Sequence, residues 1–80
     1  MERVTTVRYF AAAEEAAGLA SEQRTESTLD ALRVGIVADH AGLAGILPRC
    51  AVLVDGCRHD DDVALSGSET IDVLPPFAGG

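Results

Sequence analysis

Ser27-Thr28-Leu29-Asp30-Ala31-Leu32-Arg33-Val34-Gly35-Ile36-Val37-Ala38-Asp39-His40 is the longest helically periodic stretch of an 80-residue chain, and it lies near the middle. Its opening has a hydroxyl cap and an acid three residues on, the signature of a helix start. Leu29, Leu32 and Ile36 share one face at helical spacing, with Val37 beside them. The helix is expected to run to about His40 and to end near Gly42. Gly35 weakens it by up to about 1 kcal/mol relative to alanine, so packing must hold it.

Strand patterns flank this helix on both sides. Arg3 to Phe10 alternates, with Thr5, Val7 and Tyr9 on one face and Thr6, Arg8 and Phe10 on the other. Ala11 to Ala17 is a short alanine-rich helix stopped by Gly18. Glu22 to Glu26 fits a short antiparallel return strand. Leu43 to Arg49 reads as a connector with a single turn, stopped by Pro48. Cys50 to Val54 is an interior strand that ends in the tight turn Asp55-Gly56. Arg58 to Asp62 is a charged loop, Ser66-Gly67-Ser68 a turn, and Thr70 to Leu74 the last strand.

The order β-α-β-α-β-loop-β predicts an α+β fold, a mixed sheet with the central helix packed on one face. Val7, Tyr9, Leu29, Leu32, Ile36, Val52, Val54, Ile71 and Val73 are the expected core. The chain reads as one domain over residues 1–80, with residues 75–80 as an extended tail.

Composition excludes several function classes. Six arginines, no lysine and thirteen acids leave a net charge of −7, which argues against a nucleic-acid or anionic-membrane partner. No apolar run approaches a membrane span and no signal-peptide stretch opens the chain, so the expected compartment is cytoplasmic. Cys50 and Cys57, spaced C-x6-C, match no zinc or redox motif, and buried free thiols are the expectation. His40 should serve a helix end, and His59 should be a solvated loop residue. Asp60-Asp61-Asp62 lacks the spaced oxygen ligands of a calcium loop and reads as a solvated acidic run, so no metal site is expected.

Beyond Leu74 the chain reads Pro75-Pro76-Phe77-Ala78-Gly79-Gly80. Two prolines stop the strand and stiffen the chain. The small residues after them make a thin peptide that can enter a narrow channel. The bland alternative is a frayed terminus. Together with the element order, this ending resembles the MoaD/ThiS family of ubiquitin-like β-grasp sulfur carriers. The residues that carry the likeness are Val7-Arg8-Tyr9-Phe10-Ala11, Thr28-Leu29 to Leu32, Val54-Asp55-Gly56 and Ile71 to Gly80. Leu-Pro-Pro-x-x-Gly-Gly is the most specific of them. One departure is Gly67-Ser68-Glu69, where the family usually has Gly-Asp.

The resemblance implies a mechanism centred on Gly80. A MoeB-type, ubiquitin-activating-like adenylyltransferase using ATP and magnesium would convert its carboxylate to a glycyl adenylate. Sulfur from a persulfide donor would then displace AMP and leave a thiocarboxylate, 1-thioglycine. In the branch of the family that serves molybdopterin synthesis, a MoaE-like large subunit would receive the tail. The thiocarboxylate would there donate sulfur to cyclic pyranopterin monophosphate. Gly79, Ala78, Phe77, Pro76 and Pro75 would thread the partner's active site. Phe10, Leu74 and Phe77 would form an exposed apolar patch at the tail's base, unless Phe10 packs against the Ala11–Ala17 helix. The chain would hold no cofactor and would not be catalytic alone. Alternatives are a carrier for thiamine thiazole or cysteine synthesis, a ubiquitin-like protein modifier, or an interaction domain with an inert tail. Thiamine carriers tend to be shorter and usually lack the double proline.

Overall fold

The computed structural model describes residues 4–76. Five strands form one sheet: β1 (Thr5–Tyr9), β2 (Ser21–Arg24), β3 (Ala51–Val54), β4 (Cys57–Arg58) and β5 (Thr70–Leu74). Their order is β2-β1-β5-β3-β4. The central β1–β5 pair is parallel and every other pairing is antiparallel. Two helices, α1 (Ala12–Ala17) and α2 (Leu29–Asp39), accompany the sheet. This is the expected mixed sheet with a central helix.

The alternation in β1 works as read: Thr5, Val7 and Tyr9 are buried while Arg8 is exposed. Ile71 and Val73 of β5 repeat the pattern beside them. Leu29, Leu32 and Ile36 of α2 close over these side chains, and all are essentially inaccessible. Thr28, not Ser27, is the N-cap, its hydroxyl accepting from the Ala31 N–H at 3.1 Å. His40 ends α2, as expected.

Eight of the nine expected core residues are buried. Val54 is half-buried and packs on the rim of the core. It lies beside the Asp55-Gly56 turn, where Asp55 (φ 49°) and Gly56 (φ 87°) give the backbone of a two-residue hairpin. That hairpin creates β4, which the charged-loop reading did not contain. Leu43, Leu47, Leu65 and Ala13 complete the core. Leu43 and Leu47 come from two single 3₁₀ turns, Ala41–Leu43 and Leu47–Arg49, where one turn was expected.

Three local readings need correction. The return strand β2 lies at Ser21–Arg24, not Glu22–Glu26, because its register is set by pairing with β1, Thr5 opposite Arg24. Cys57 is exposed and Cys50 half-buried, so buried thiols describe neither. Asp62 is not merely solvated: its Oδ1 accepts from the N–H groups of Asp30 (2.8 Å) and Val63 (3.0 Å). A loop carboxylate thus helps to cap the first turn of α2 and complements its dipole.

Candidate functional site

The tail leaves the sheet from its middle. β5 lies between β1 and β3, with Tyr9 level with Val73 and Ala51 opposite Leu74. Proline cannot donate to a ladder, so a Pro-Pro pair in a central strand must mark the end of pairing. Pro75 continues the burial alternation of Ile71 and Val73, and Pro76 is exposed. The base of the tail is therefore anchored in the core. Phe77, Ala78, Gly79 and Gly80 lie outside the described residues.

On the sheet face away from α2, the tail's base is bordered by Arg8, Phe10, Asp72 and Leu74. Phe10 is 37% exposed and Leu74 half-buried. Phe10 stays on this face: the Arg8 guanidinium carbon sits 5.6 Å from its ring centroid, a cation–π arrangement. Arg8 in turn grips Asp72 with two bonds, Nε to Oδ1 at 2.6 Å and Nη2 to Oδ2 at 2.9 Å. Asp72 holds the guanidinium above its ordinary pKa through that hydrogen bond and the charge behind it. So the expected apolar patch has a neutralised ion pair along one side. Sequence alternation placed Arg8 and Asp72 on this face, but only the parallel register made them partners.

Ala11, next to Phe10, has φ 51° and ψ −124°. Those angles match the first central position of a type II′ turn, which glycine normally fills. The Ala13 N–H closes the turn onto the Phe10 carbonyl at 3.0 Å, and the Phe10 N–H binds the Val73 carbonyl at 3.2 Å. An L-residue held there carries strain on the order of 1–3 kcal/mol. No reading of the sequence pointed to it, since Ala11 looks like the first residue of a good helix.

A polar cluster lies on the helix side of the sheet. The Tyr9 hydroxyl donates to Glu22 Oε2 at 2.5 Å, and His40 Nε2 lies 2.7 Å from the same oxygen. Arg24 donates to Glu22, Glu26 and Asp39. Burial, then the bond to Glu22, pushes the Tyr9 hydroxyl far above its usual pKa. For Glu22 burial works upward, but hydrogen bonds from Tyr9, His40 and Arg24 outweigh it and hold the carboxyl low. These groups satisfy one another, and the cluster ties β2 and the end of α2 to β1.

Arg33, Val34, Val37, Leu47, Cys50 and His59 border a groove of about 680 Å³ between α2 and β3. The Cys50 thiol there donates to the Ile46 carbonyl (3.3 Å), and burial pushes its pKa up. His59, expected to be solvated, is half-buried, and its carbonyl accepts from Arg33 Nη2 at 3.0 Å.

The family departure at Gly67-Ser68-Glu69 has a local explanation. Glu69 accepts from the N–H groups of Ser66 (2.7 Å) and Gly67 (2.8 Å) and from the Ser66 hydroxyl (3.0 Å). The turn is closed by its own carboxylate.

The sequence model of the ThiS family matches residues 7–80, the whole tail included. No curated protein matches the chain significantly in sequence. Among solved structures, the HVO 2177 protein of Haloferax volcanii is 29% identical over 98% of this chain and 87% of its own, with a TM-score of 0.78. A chain of the complex of subunits 1 and 2 of the molybdopterin-converting factor from Helicobacter pylori 26695 is 26% identical. That match covers 96% of this chain and 99% of that one, with a TM-score of 0.74. SAMP1 from Haloferax volcanii, 19% identical over 96% of this chain and 99% of its own, superposes with a TM-score of 0.85, which shows the fold alone. A ubiquitin-like β-grasp whose family match runs from within β1 through Gly80 makes this chain a member of the ThiS family.

Proposed function

We propose that the chain is a sulfur carrier for molybdopterin synthesis, with the Gly80 carboxylate as the working group. The observation that carries this reading is the family match running unbroken through Gly79-Gly80, behind a base anchored by Pro75 in the central strand. A free carboxylate is a poor electrophile, so an activating enzyme of the MoeB type must first convert it, with ATP and magnesium, to the acyl adenylate. The terminal sulfur of a persulfide donor then displaces AMP, and a thiol attacks the donor's own sulfur in the resulting acyl disulfide, forming a disulfide with it and releasing the thiocarboxylate. Covalent activation of this kind divides a difficult substitution into two feasible ones. The likeness to the Helicobacter pylori complex supports a large-subunit partner, which would receive the tail and supply the groups that act on cyclic pyranopterin monophosphate. Phe10, Leu74 and Phe77 would meet that partner around the tail's base.

The test is intact-protein mass spectrometry after incubation with ATP, the activating enzyme and a sulfur donor. The wild-type chain should gain mass by exchanging one oxygen for sulfur. A Gly80 deletion leaves a carboxylate about 3 Å short of the reacting position and should gain none. A deletion variant thiocarboxylated at the wild-type rate would remove Gly80 as the acceptor. A ladder of conjugates on a denaturing gel, without thiocarboxylate, would favour the modifier reading instead.

A further inference from the structure

We infer that the Ala11 methyl group is part of the docking surface, set beside Phe10 by the strained turn and kept there at the expense of stability. The inference rests on the reading above, that a partner closes on the face around the tail's base. Ala11 is exposed, so its Cβ contributes nothing to the core. Its backbone, φ 51° and ψ −124°, is one that glycine adopts freely and an L-residue does not. Among the described residues the hydrogen bonds that fix the turn are backbone ones: Ala13 N–H to Phe10 carbonyl, Phe10 N–H to Val73 carbonyl and Glu15 N–H to Ala11 carbonyl. Glycine would make the same bonds without strain. Among the described residues the Ala11 methyl is exposed and takes no part in the core, and a strained backbone kept at such a position is grounds for assigning it a use in binding.

The surroundings define what would fit. Phe10 and Ala11 are consecutive exposed apolar groups where β1 turns into α1, level with the tail's base on β5. Arg8 and Asp72, already paired with each other, border them without a net charge. The complementary partner surface is therefore a small apolar pocket for ring and methyl, with an uncharged polar rim over the ion pair. A partner that relied on a strong charge of either sign would find nothing to meet at this point.

Two variants relieve the strain and take the methyl away from its place: Ala11→Gly, and a synthetic chain with D-alanine at position 11. Each is compared with wild type by thermal melting and by calorimetric titration with the large subunit of the molybdopterin-converting-factor type from the same genome. Both should melt higher than wild type and bind about fourfold more weakly, the loss expected for one buried methyl. Wild-type affinity in either variant would overturn the inference. Phe10→Ala separates this outcome from failure of the docking reading itself. If it too binds like wild type, the partner does not use this face at all. If it binds weakly while Ala11→Gly does not, the face is used and the methyl is not.

Discussion

The Tyr9 hydroxyl and His40 Nε2 meet at a single oxygen of Glu22, 2.5 Å and 2.7 Å away. Glu22 thereby joins the edge strand β2 to the central strand β1 and to the end of α2. Hydrogen bonding holds its carboxyl below the usual carboxylate range despite burial.

A carboxyl with a depressed folded-state pKa contributes stability that is present above its unfolded value, about 4.3. That stability is lost as pH falls through the folded value. Glu26, held low by Arg24, acts in the same direction. Glu22→Gln should therefore be less stable than wild type at neutral pH. The difference should shrink as pH falls below about 4.3. Denaturant melts of both proteins from neutral to acid pH measure this, and a constant difference across the range would contradict it.

Gly35 sits inside α2 where alanine would ordinarily stabilise a helix by about 1 kcal/mol. Here a Cβ would collide with Glu26 Oε2 and come within 2.5 Å of Arg24 Nη2. The Arg24–Glu26 pair, 2.6 Å between Nη2 and Oε2, lies against the helix through the gap that glycine leaves. Gly35→Ala is expected to destabilise, against its helix propensity. The same change in an Arg24→Ala, Glu26→Ala background should recover the usual gain. A stabilised single variant would show that the ion pair moves aside without loss.

Leu32 and Ile36 are buried at 1% and 0% exposure. Truncating either to alanine removes buried methyl groups and leaves a cavity between α2 and the sheet, so each should cost about 2–5 kcal/mol. In a chain this small that is a large part of the total stability. Losses below about 0.5 kcal/mol, the surface value, would contradict the helix-on-sheet packing.

What the sequence disclosed follows from the range of each signal. Val7-x-Tyr9, Ile71-x-Val73 and Leu29-x-x-Leu32-x-x-x-Ile36 are periodic within one element, and they were legible. β4 was not, because Cys57–Arg58 is two polar residues long and exists only by pairing with Leu53 and Val54. Arg8 and Asp72 are 64 positions apart, and only the parallel register of β1 and β5 brings them together. Asp62 caps a helix more than thirty residues before it, which no local pattern encodes. Ala11 misled for the opposite reason: alanine promotes helices, so its unfavourable backbone angles were hidden by a favourable propensity. The ending from Pro75 to Gly80 was legible as a family signal, because it is written in prolines and bare glycines, and the family match includes it.

Gly79 supplies the sharpest separation of carrier function from folding. Pro75 is buried and Pro76 is exposed. On the proposed reading, in which the end of the tail works in a partner's channel, a substitution three residues beyond Pro76 should leave the melting temperature nearly unchanged. Gly79→Val adds a branched side chain next to the glycine proposed to react and restricts dihedral angles that glycine alone reaches. An activating enzyme that closes on bare backbone would have to widen its channel or accept a displaced carboxylate, and misplacement of about 1 Å can cost 10²-fold in rate. The variant is expected to melt like wild type yet acquire sulfur at least tenfold more slowly under the same enzyme and ATP, a modest share of that effect. Time-resolved intact mass spectra beside a thermal melt measure both quantities on one sample. Sulfur gained at the wild-type rate would mean that the channel tolerates a branched side chain at this position, and the thin-tail argument would fail for Gly79 while leaving Gly80 to its own test.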